Sequence, residues 1–400
     1  KKMAMRLAIN RGSQEGWLCE HMLVMGIHGP NDRVTYFTGA FPSMCGKTST
    51  AMLDGESVVG DDIAYLRKIG GVVRAVNCEH GMFGIILGVN SKDDPIQWKA
   101  LHAPGHEVIF SNVLRTDDGG VYWEGKDAPV PAHGVNFKGE WAPGTVDAAG
   151  KPVPPSHANA RFTLSLDMLE NLDKSVDNPD GVEVGAYVYG GRDSDTWVPV
   201  QESLDWAHGI VAYGASIESE TTAATIGKAG VRQHNPMSNL DFLSIPLSRY
   251  LQINVDFADG ASRLPKIFAV NYFLKSREGR FLNSKNDKKV WYKWMELRCH
   301  GDVNAVRTAT GWIPEYKDLA PLFRSVIGRE YTQEEYDAEF SLRIPENLSK
   351  IDRVIGSWRT SPDNIPEILF TVLEAQRARL LEARKAYGDE VRPAQWGAIE

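Results

Sequence analysis

The passage from Val34 to Asp62 narrows the fold more than any other part of the chain. Val34-Thr-Tyr-Phe-Thr-Gly-Ala40 is rich in β-branched and aromatic residues and reads as a strand. It runs into Phe41-Pro-Ser-Met-Cys-Gly-Lys-Thr48, and the residues Thr50-Ala-Met-Leu53 can open a helix. Gly46 lets the backbone approach a ligand closely. Successive N–H groups over Ser43, Met44, Cys45, Gly46, Lys47 and Thr48 would form an anion cradle, with positive potential added by a helix N-terminus. Lys47 is placed to reach a transferable phosphoryl group, and the Thr48 hydroxyl to ligate Mg²⁺. The spacing departs from GxxxxGK[ST], because Phe41 stands where the first glycine belongs. Taken alone, the turn is open between a phosphate loop and a plain strand–turn–helix. Val58-Val-Gly-Asp61-Asp62 then follows. An apolar strand that delivers two acids behind such a loop positions divalent cations, whereas Asp-Asp by itself reads as an acidic turn. Cys45 lies inside the cradle beside Lys47, which predicts an exposed thiol of lowered pKa in the catalytic set, reactive but not the nucleophile.

The rest of the chain supports a mixed α/β protein. It has 400 residues, of which 42% are hydrophobic, enough for a large core with more than one subdomain. The net charge of −8 offers no basic field for nucleic acid, so phosphate recognition must rest on local cations and metal ions. No run of 18 apolar residues is present, and the first ten residues lack the apolar stretch of a signal peptide. Four scattered cysteines without a CxxC pair fit a reducing cytosol. Residues 58–77 read as a hairpin around Gly70-Gly71. Further strands are predicted at 83–89, 106–113, 119–125, 182–191 and 266–274, with a long loop over 126–160. Helical patterns dominate 200–213, 238–257 and most of the chain after 287. They include a capping box at Thr332/Glu335 and an amphipathic helix over 366–386 carrying Leu369, Val372, Leu373 and Leu380 on one side. His21, beside Trp17, Leu18 and Leu23, reads as a core histidine on an apolar helix. Strands first and helices last predict a mixed sheet with a helical C-terminal cap.

Several segments together resemble one family. FPSMCGKT (41–48), EGWLCEHMLVMG (15–26), VGDDIAY (59–65), DGGVYWEG (118–125), HANARF (157–162), WAHGI (206–210) and LPKIFAVNYF (264–273) are similar, in this order, to signatures of the GTP-type phosphoenolpyruvate carboxykinases. The resemblance implies a carboxykinase-type P-loop domain. On this reading residues 1–275 form the phosphate- and metal-binding core, 276–400 a mainly helical part, and an upstream substrate-binding lobe is expected outside the chain. It implies Mn²⁺ held by Lys2, His21 and Asp62, and Mg²⁺ by Thr48 and Asp61. Donor phosphates would meet Ser43, Met44, Gly46, Lys47, Thr48 and Arg192. Asn159 and Arg161 would contact substrate, Lys1 would approach oxaloacetate, and 218–230 would be a mobile lid. The implied reaction, in the cytoplasm, decarboxylates oxaloacetate and phosphorylates the enolate to phosphoenolpyruvate.

Three positions depart from the family pattern. A base-stacking Pro-Gly-Phe-Gly turn is replaced by Asn283-Ser-Lys-Asn-Asp287 after Phe281-Leu282, the second arginine of GGRR is Asp193, and the lid's leading arginine is Glu218. A guanine site needs aromatic faces, and lysines suit anions. The expected donor is therefore pyrophosphate, giving phosphate and CO₂ with phosphoenolpyruvate. A GTP-dependent carboxykinase releasing GDP is the alternative, and a non-catalytic carboxykinase-like subunit a further one. A generic P-loop kinase is excluded by the loop spacing.

Overall fold

Parallel strands that end at one edge of a sheet hand over to loops at that edge, and such edges are where α/β folds place ligands. The computed structural model describes residues 1–221, 230–362 and 364–398. Its chain divides into two compact units. One comprises Lys1–Ala51, Val59–Cys78 and Asp173–Glu400, the other Met52–Val58 and Glu79–Leu172. This division falls elsewhere than the boundary expected at residue 275.

In the first unit the buried strand Val182–Gly191 lies at the centre of a mixed sheet, eleven strands wide among the described residues. It runs parallel to Val34–Ala40 on one side, with Tyr189 opposite Ala40, and to Lys266–Asn271 on the other, with Gly191 opposite Asn271. Three consecutive carboxyl ends thus deliver the loop after Ala40, then Arg192, then Tyr272 and Phe273. Near-continuous apolar sequence in these strands follows from burial on both faces. The strand Met22–His28 pairs antiparallel with Val34–Ala40, placing Met22 opposite Ala40 and so bringing His21 to the same edge. The hairpin read around Gly70-Gly71 forms, as Ala64–Ile69 against Val72–Asn77.

Helices cover this sheet. Lys288–His300 packs on it through Trp294, whose ring meets Phe268 edge-on at 6.0 Å. Trp291 of the same helix lies against Phe323 and Phe340. The helix Gln333–Phe340 opens on the expected capping box, with the Thr332 hydroxyl accepting from the Glu335 N–H and the Glu335 carboxylate from the Thr332 N–H. The last long helix, Glu367–Tyr387, buries Leu369, Leu373, Gln376, Leu380 and Ala383. Residues 200–213 open on a strand, Val200–Glu202, before a single turn at Trp206–His208 and a π-helical turn at Gly209–Gly214.

The second unit holds the sheet Gly81–Ile85, Arg161–Ser165, Ile109–Ser111 and a four-stranded sheet over Leu114–Thr116, Val121–Tyr122, Gly134–Asn136 and Gly139–Trp141. The stretch 126–160, expected as loop, therefore contains a hairpin. Strands of two or three residues bounded by Gly and Pro carry no readable alternation, and tertiary pairing alone defines them. No helix is long and apolar enough to cross a membrane among the described residues.

Candidate active site

The turn after Ala40 is shaped by backbone conformation first. Met44 adopts φ 62° and Gly46 φ 100°, both left-handed. Alternation of right- and left-handed residues turns successive N–H groups to one side and makes an anion-binding concavity. At Gly46 a side chain is also excluded sterically, since a Cβ would lie 3.0 Å from the Tyr272 ring. The helix that follows is short, Lys47–Ala51. Its first-turn N–H groups have no intrahelical acceptor and face the turn. Arg192 closes the other side, donating to the Met44 carbonyl at 2.9 Å with its guanidinium stacked 3.7 Å over Phe273.

The acids converge on the same place. Asp61 is buried, hydrogen-bonded by the Thr48 side chain, while its Oδ1 has no hydrogen-bond partner among the described residues. Burial pushes its carboxyl up to about 6, against the opposing pull of Lys1 and of Thr48. Asp62 accepts contacts from both Lys47 and Lys1. His21 Nε2 lies 2.9 Å from Asp62 Oδ1 and 2.8 Å from Lys47 Nζ. Nδ1 of the same ring donates to the Ser238 carbonyl at 2.9 Å, so Nε2 is the bare nitrogen. Burial, with Lys1 nearby, depresses the imidazole to about 4 and keeps it neutral at pH 7. Two acceptors, Nε2 and a carboxylate oxygen, thus lie side by side with the Lys47 ammonium touching both, a pair of donors that a metal cation could share.

The donor set tests whether a divalent ion fits. Among the described residues no three His, Cys, Asp or Glu side chains gather in metal-binding geometry. At His21 and Asp62 an imidazole nitrogen and a carboxylate stand ready, and the two lysines that touch Asp62, Lys1 and Lys47, suit the lysine ligand that the family resemblance implies. The orphaned Oδ1 of Asp61 beside Thr48 suits a second cation. The residues fit.

Several expectations are corrected. Lys2 is not at this point: it is 61% exposed and lies 4.0 Å from Asp241. The lysine on Asp62 is Lys1. His21 is not on a helix, because the helix Lys2–Glu15 stops at Gly16, left-handed at φ 79°, and His21 links the strands Leu18–Glu20 and Met22–His28. Cys45 is not an exposed low-pKa thiol. It is 1% exposed, hydrogen-bonded to Ser219 Oγ at 2.9 Å, and burial raises its pKa. Asp193 does not face the phosphate turn. Its carboxylate accepts from the Thr196 N–H and from buried Lys350, which hold it well below the usual carboxylate range despite burial. Glu218 is buried against Arg353. The expected lid is described only at its edges, the strands Glu218–Glu220 and Arg232–His234, and residues 222–229 lie outside the described residues.

In the second unit Arg161 and Asn159 are adjacent, the Arg161 Nε–H donating to Asn159 Oδ1 at 2.9 Å with the guanidinium 5.0 Å over Phe83. Ser43 is exposed at the head of the turn. Phe281 is 56% exposed, with Lys275 4.8 Å over its ring. Sequence reasoning missed Ser238, Tyr272 and Phe273. The aromatic pair lies inside the stretch 266–274 read as a buried strand, but the strand ends at Asn271 and leaves the pair at its carboxyl edge.

Residues 17–379 match the family model described as the phosphoenolpyruvate carboxykinase C-terminal P-loop domain. Proteins named phosphoenolpyruvate carboxykinase [GTP] from Pyrococcus furiosus and Thermococcus kodakarensis are each 55% identical over 98% of this chain. One of the same name from Saccharolobus solfataricus is 47% identical over 98%. The chain spans 62% of the length of the first of these and 63% of the other two. The expectation of pyrophosphate as donor finds no support among them, all three being named for GTP. With its sheet, its phosphate turn and most of its length matched, the chain belongs to the family of GTP-type phosphoenolpyruvate carboxykinases, at their C-terminal P-loop domain.

Proposed function

We propose that this chain carries the phosphoryl-transfer and metal-binding machinery of a GTP-dependent phosphoenolpyruvate carboxykinase, which converts oxaloacetate and GTP to phosphoenolpyruvate, GDP and CO₂. One observation carries the reading. Lys47, His21, Asp62 and Lys1 meet at a single point beside the Gly46–Thr48 turn, with Asp61 held by Thr48. The names of the relatives support GTP over pyrophosphate.

In this reading the N–H groups of the turn and the Lys47 ammonium bind the donor's terminal phosphates. Arg192, fixed by Met44 and Phe273, lies beside them as a second cation. His21 Nε2, Asp62 and a neutral Lys1 would hold Mn²⁺, and Thr48 with Asp61 would hold Mg²⁺. Proximity to a metal depresses a lysine pKa and frees its lone pair. Divalent ions, when held by these residues, would supply Lewis-acid polarisation of the oxaloacetate carbonyl and neutralise charge on the phosphoryl oxygens. Decarboxylation leaves an enolate, and its oxygen attacks the terminal phosphoryl group in line, a step that positioned cations accelerate by stabilising the spreading charge. Asn159 and Arg161 are the groups we assign to substrate contact.

The test is an assay of the full-length protein with oxaloacetate and Mn²⁺, comparing GTP, ATP and pyrophosphate. Phosphoenolpyruvate with stoichiometric GDP is expected. Faster turnover with pyrophosphate would remove GTP as the donor, and no phosphoenolpyruvate with any donor would sink the carboxykinase reading.

A further inference from the structure

We infer that Glu20, Asn239 and Tyr250 form a buried clasp whose task is to fix His21 in one tautomer, with Nε2 aimed at the metal point. The inference rests on the reading of His21 as a metal ligand and adds the residues that position it.

The carbonyl that fixes the ring belongs to an unusual turn. Ser238 O accepts from His21 Nδ1–H, and both Met237 and Ser238 sit in the left-handed region, at φ 52° and 55°. Neither is glycine, and both are buried, at 1% and 3% exposure. Non-glycine residues held there cost about 1–3 kcal/mol each and persist only where surrounding contacts over-determine them. Those contacts come from the next residue. Asn239 is fully buried, and its side-chain amide donates to Glu20 Oε2 at 3.2 Å, to Tyr250 Oη at 2.9 Å and to the Cys19 carbonyl at 3.4 Å. The Tyr250 hydroxyl donates to the same Glu20 oxygen. Tyr250 is anchored in the helix Leu247–Asp256, and Glu20 in a strand paired with Ala64.

The arrangement is two-by-two. Adjacent residues Glu20 and His21 grip adjacent residues Asn239 and Ser238, one through a carboxylate and the other through an imidazole. The ring cannot flip without losing the Ser238 bond, and the Ser238 carbonyl cannot turn without breaking the Asn239 bonds. A carboxyl group buried among apolar strands is costly, and a leucine of similar volume would pack there without that cost. Its presence is accounted for by the turn it restrains. Groups that orient a ligating histidine through its second nitrogen alter metal affinity about 10–100-fold when removed.

The test reads the tautomer directly. Long-range ¹H–¹⁵N spectra of the metal-free, full-length protein should show His21 protonated on Nδ1 only. Tyr250→Phe and Asn239→Ala should give a mixture of tautomers, with Mn²⁺ affinity, read from the free-ion paramagnetic resonance signal, lower by about 10-fold or more. Glu20→Gln keeps an oxygen that accepts from Tyr250 and Asn239. It should hold the single tautomer and stay within about 3-fold of wild type in Mn²⁺ affinity, a rescue that generic destabilisation of the fold would not give. Should Asn239→Ala not fold, Tyr250→Phe carries the test. An unchanged tautomer and unchanged Mn²⁺ affinity in folded Tyr250→Phe would overturn the inference. A single Nδ1–H tautomer in a wild-type protein that binds no Mn²⁺ would support the clasp and remove the metal reading instead.

Discussion

Lys1 and Lys2 are neighbours in sequence, yet one step along a helix is a rotation of about 100°, and that rotation decides which of them reaches a carboxylate. Lys1 stands at the N-cap of the helix Lys2–Glu15 and meets Asp62, whereas Lys2 turns to Asp241 and solvent. The resemblance alone placed the metal on Lys2, because a run of two lysines offers no signal for which is which. Geometry sets Lys1 on Asp62. If the proposed metal site stands, Lys1→Met should lower Mn²⁺ affinity and turnover by about 100-fold, since it deletes one of the three proposed ligands. Lys2→Met should stay within about 2-fold, because exposed pairs of this kind are worth little. Manganese titration and steady-state kinetics on both variants check the assignment, and equal losses in the two would refute it. Cys45 shows the complementary lesson. Proximity to Lys47 along the chain was a sound reason for a lowered pKa, but the side chain turns inward to Ser219, and burial outweighs the Ser219 hydrogen bond and the pull of Arg192.

Elements with a strong local signature were legible, and those defined by partners were not. The phosphate-loop strand, the Gly70-Gly71 hairpin, the strand Val182–Gly191 and the Thr332 capping box each carry their own pattern, and each forms. The hairpin inside 126–160, whose strand Gly134–Asn136 also pairs with Leu114–Thr116, and the strand Val200–Glu202, paired with Lys266–Asn271, are completed by partners outside their own stretch, which a local window cannot see. For the same reason the turn that orients His21 was invisible: Ser238 lies 217 residues away in sequence. The helix Gln333–Phe340 contains a further feature that only tertiary context shows. Glu339 is buried, its carboxylate accepting from Tyr331 Oη at 2.6 Å, and burial together with nearby Asp287 raises it from 4.5 to about 8, against the pull of Arg329. The folded state therefore binds a proton that the unfolded chain releases between those values. Stability from this group is complete below pH 4.5 and declines as pH rises through 8, by roughly 3–5 kcal/mol in all. Glu339→Gln should flatten that decline in denaturant titrations across this range. A variant whose stability falls with pH as steeply as wild type would show that Glu339 is already ionised in the fold.

At the scale of the molecule, each of the two units has a core of its own. In the first, the strand Val182–Gly191 is buried along nearly its whole length, and Trp291 and Trp294 are fully enclosed. In the second, the four-stranded sheet rests on a small cluster of Leu114, Tyr122, Trp141 and Val153, with Phe137 partly buried against it. Trp141 anchors that cluster twice, by area and by its indole N–H, which donates to the Val153 carbonyl at 2.8 Å. Opening free energies follow the apolar area a cooperative unit buries, so amides of Leu114–Thr116 and Gly134–Trp141 should exchange through smaller openings than those of Val182–Gly191. Trp141→Ala should cost about 3–5 kcal/mol, enough to unfold a small unit locally. Hydrogen exchange read by mass spectrometry should then show protection lost over Leu114–Trp141 and retained in the sheet that carries Lys47, His21 and Asp62. Loss of protection in both regions together would mean that the chain unfolds as one cooperative body, with the phosphate loop no more stable than the small cluster around Trp141.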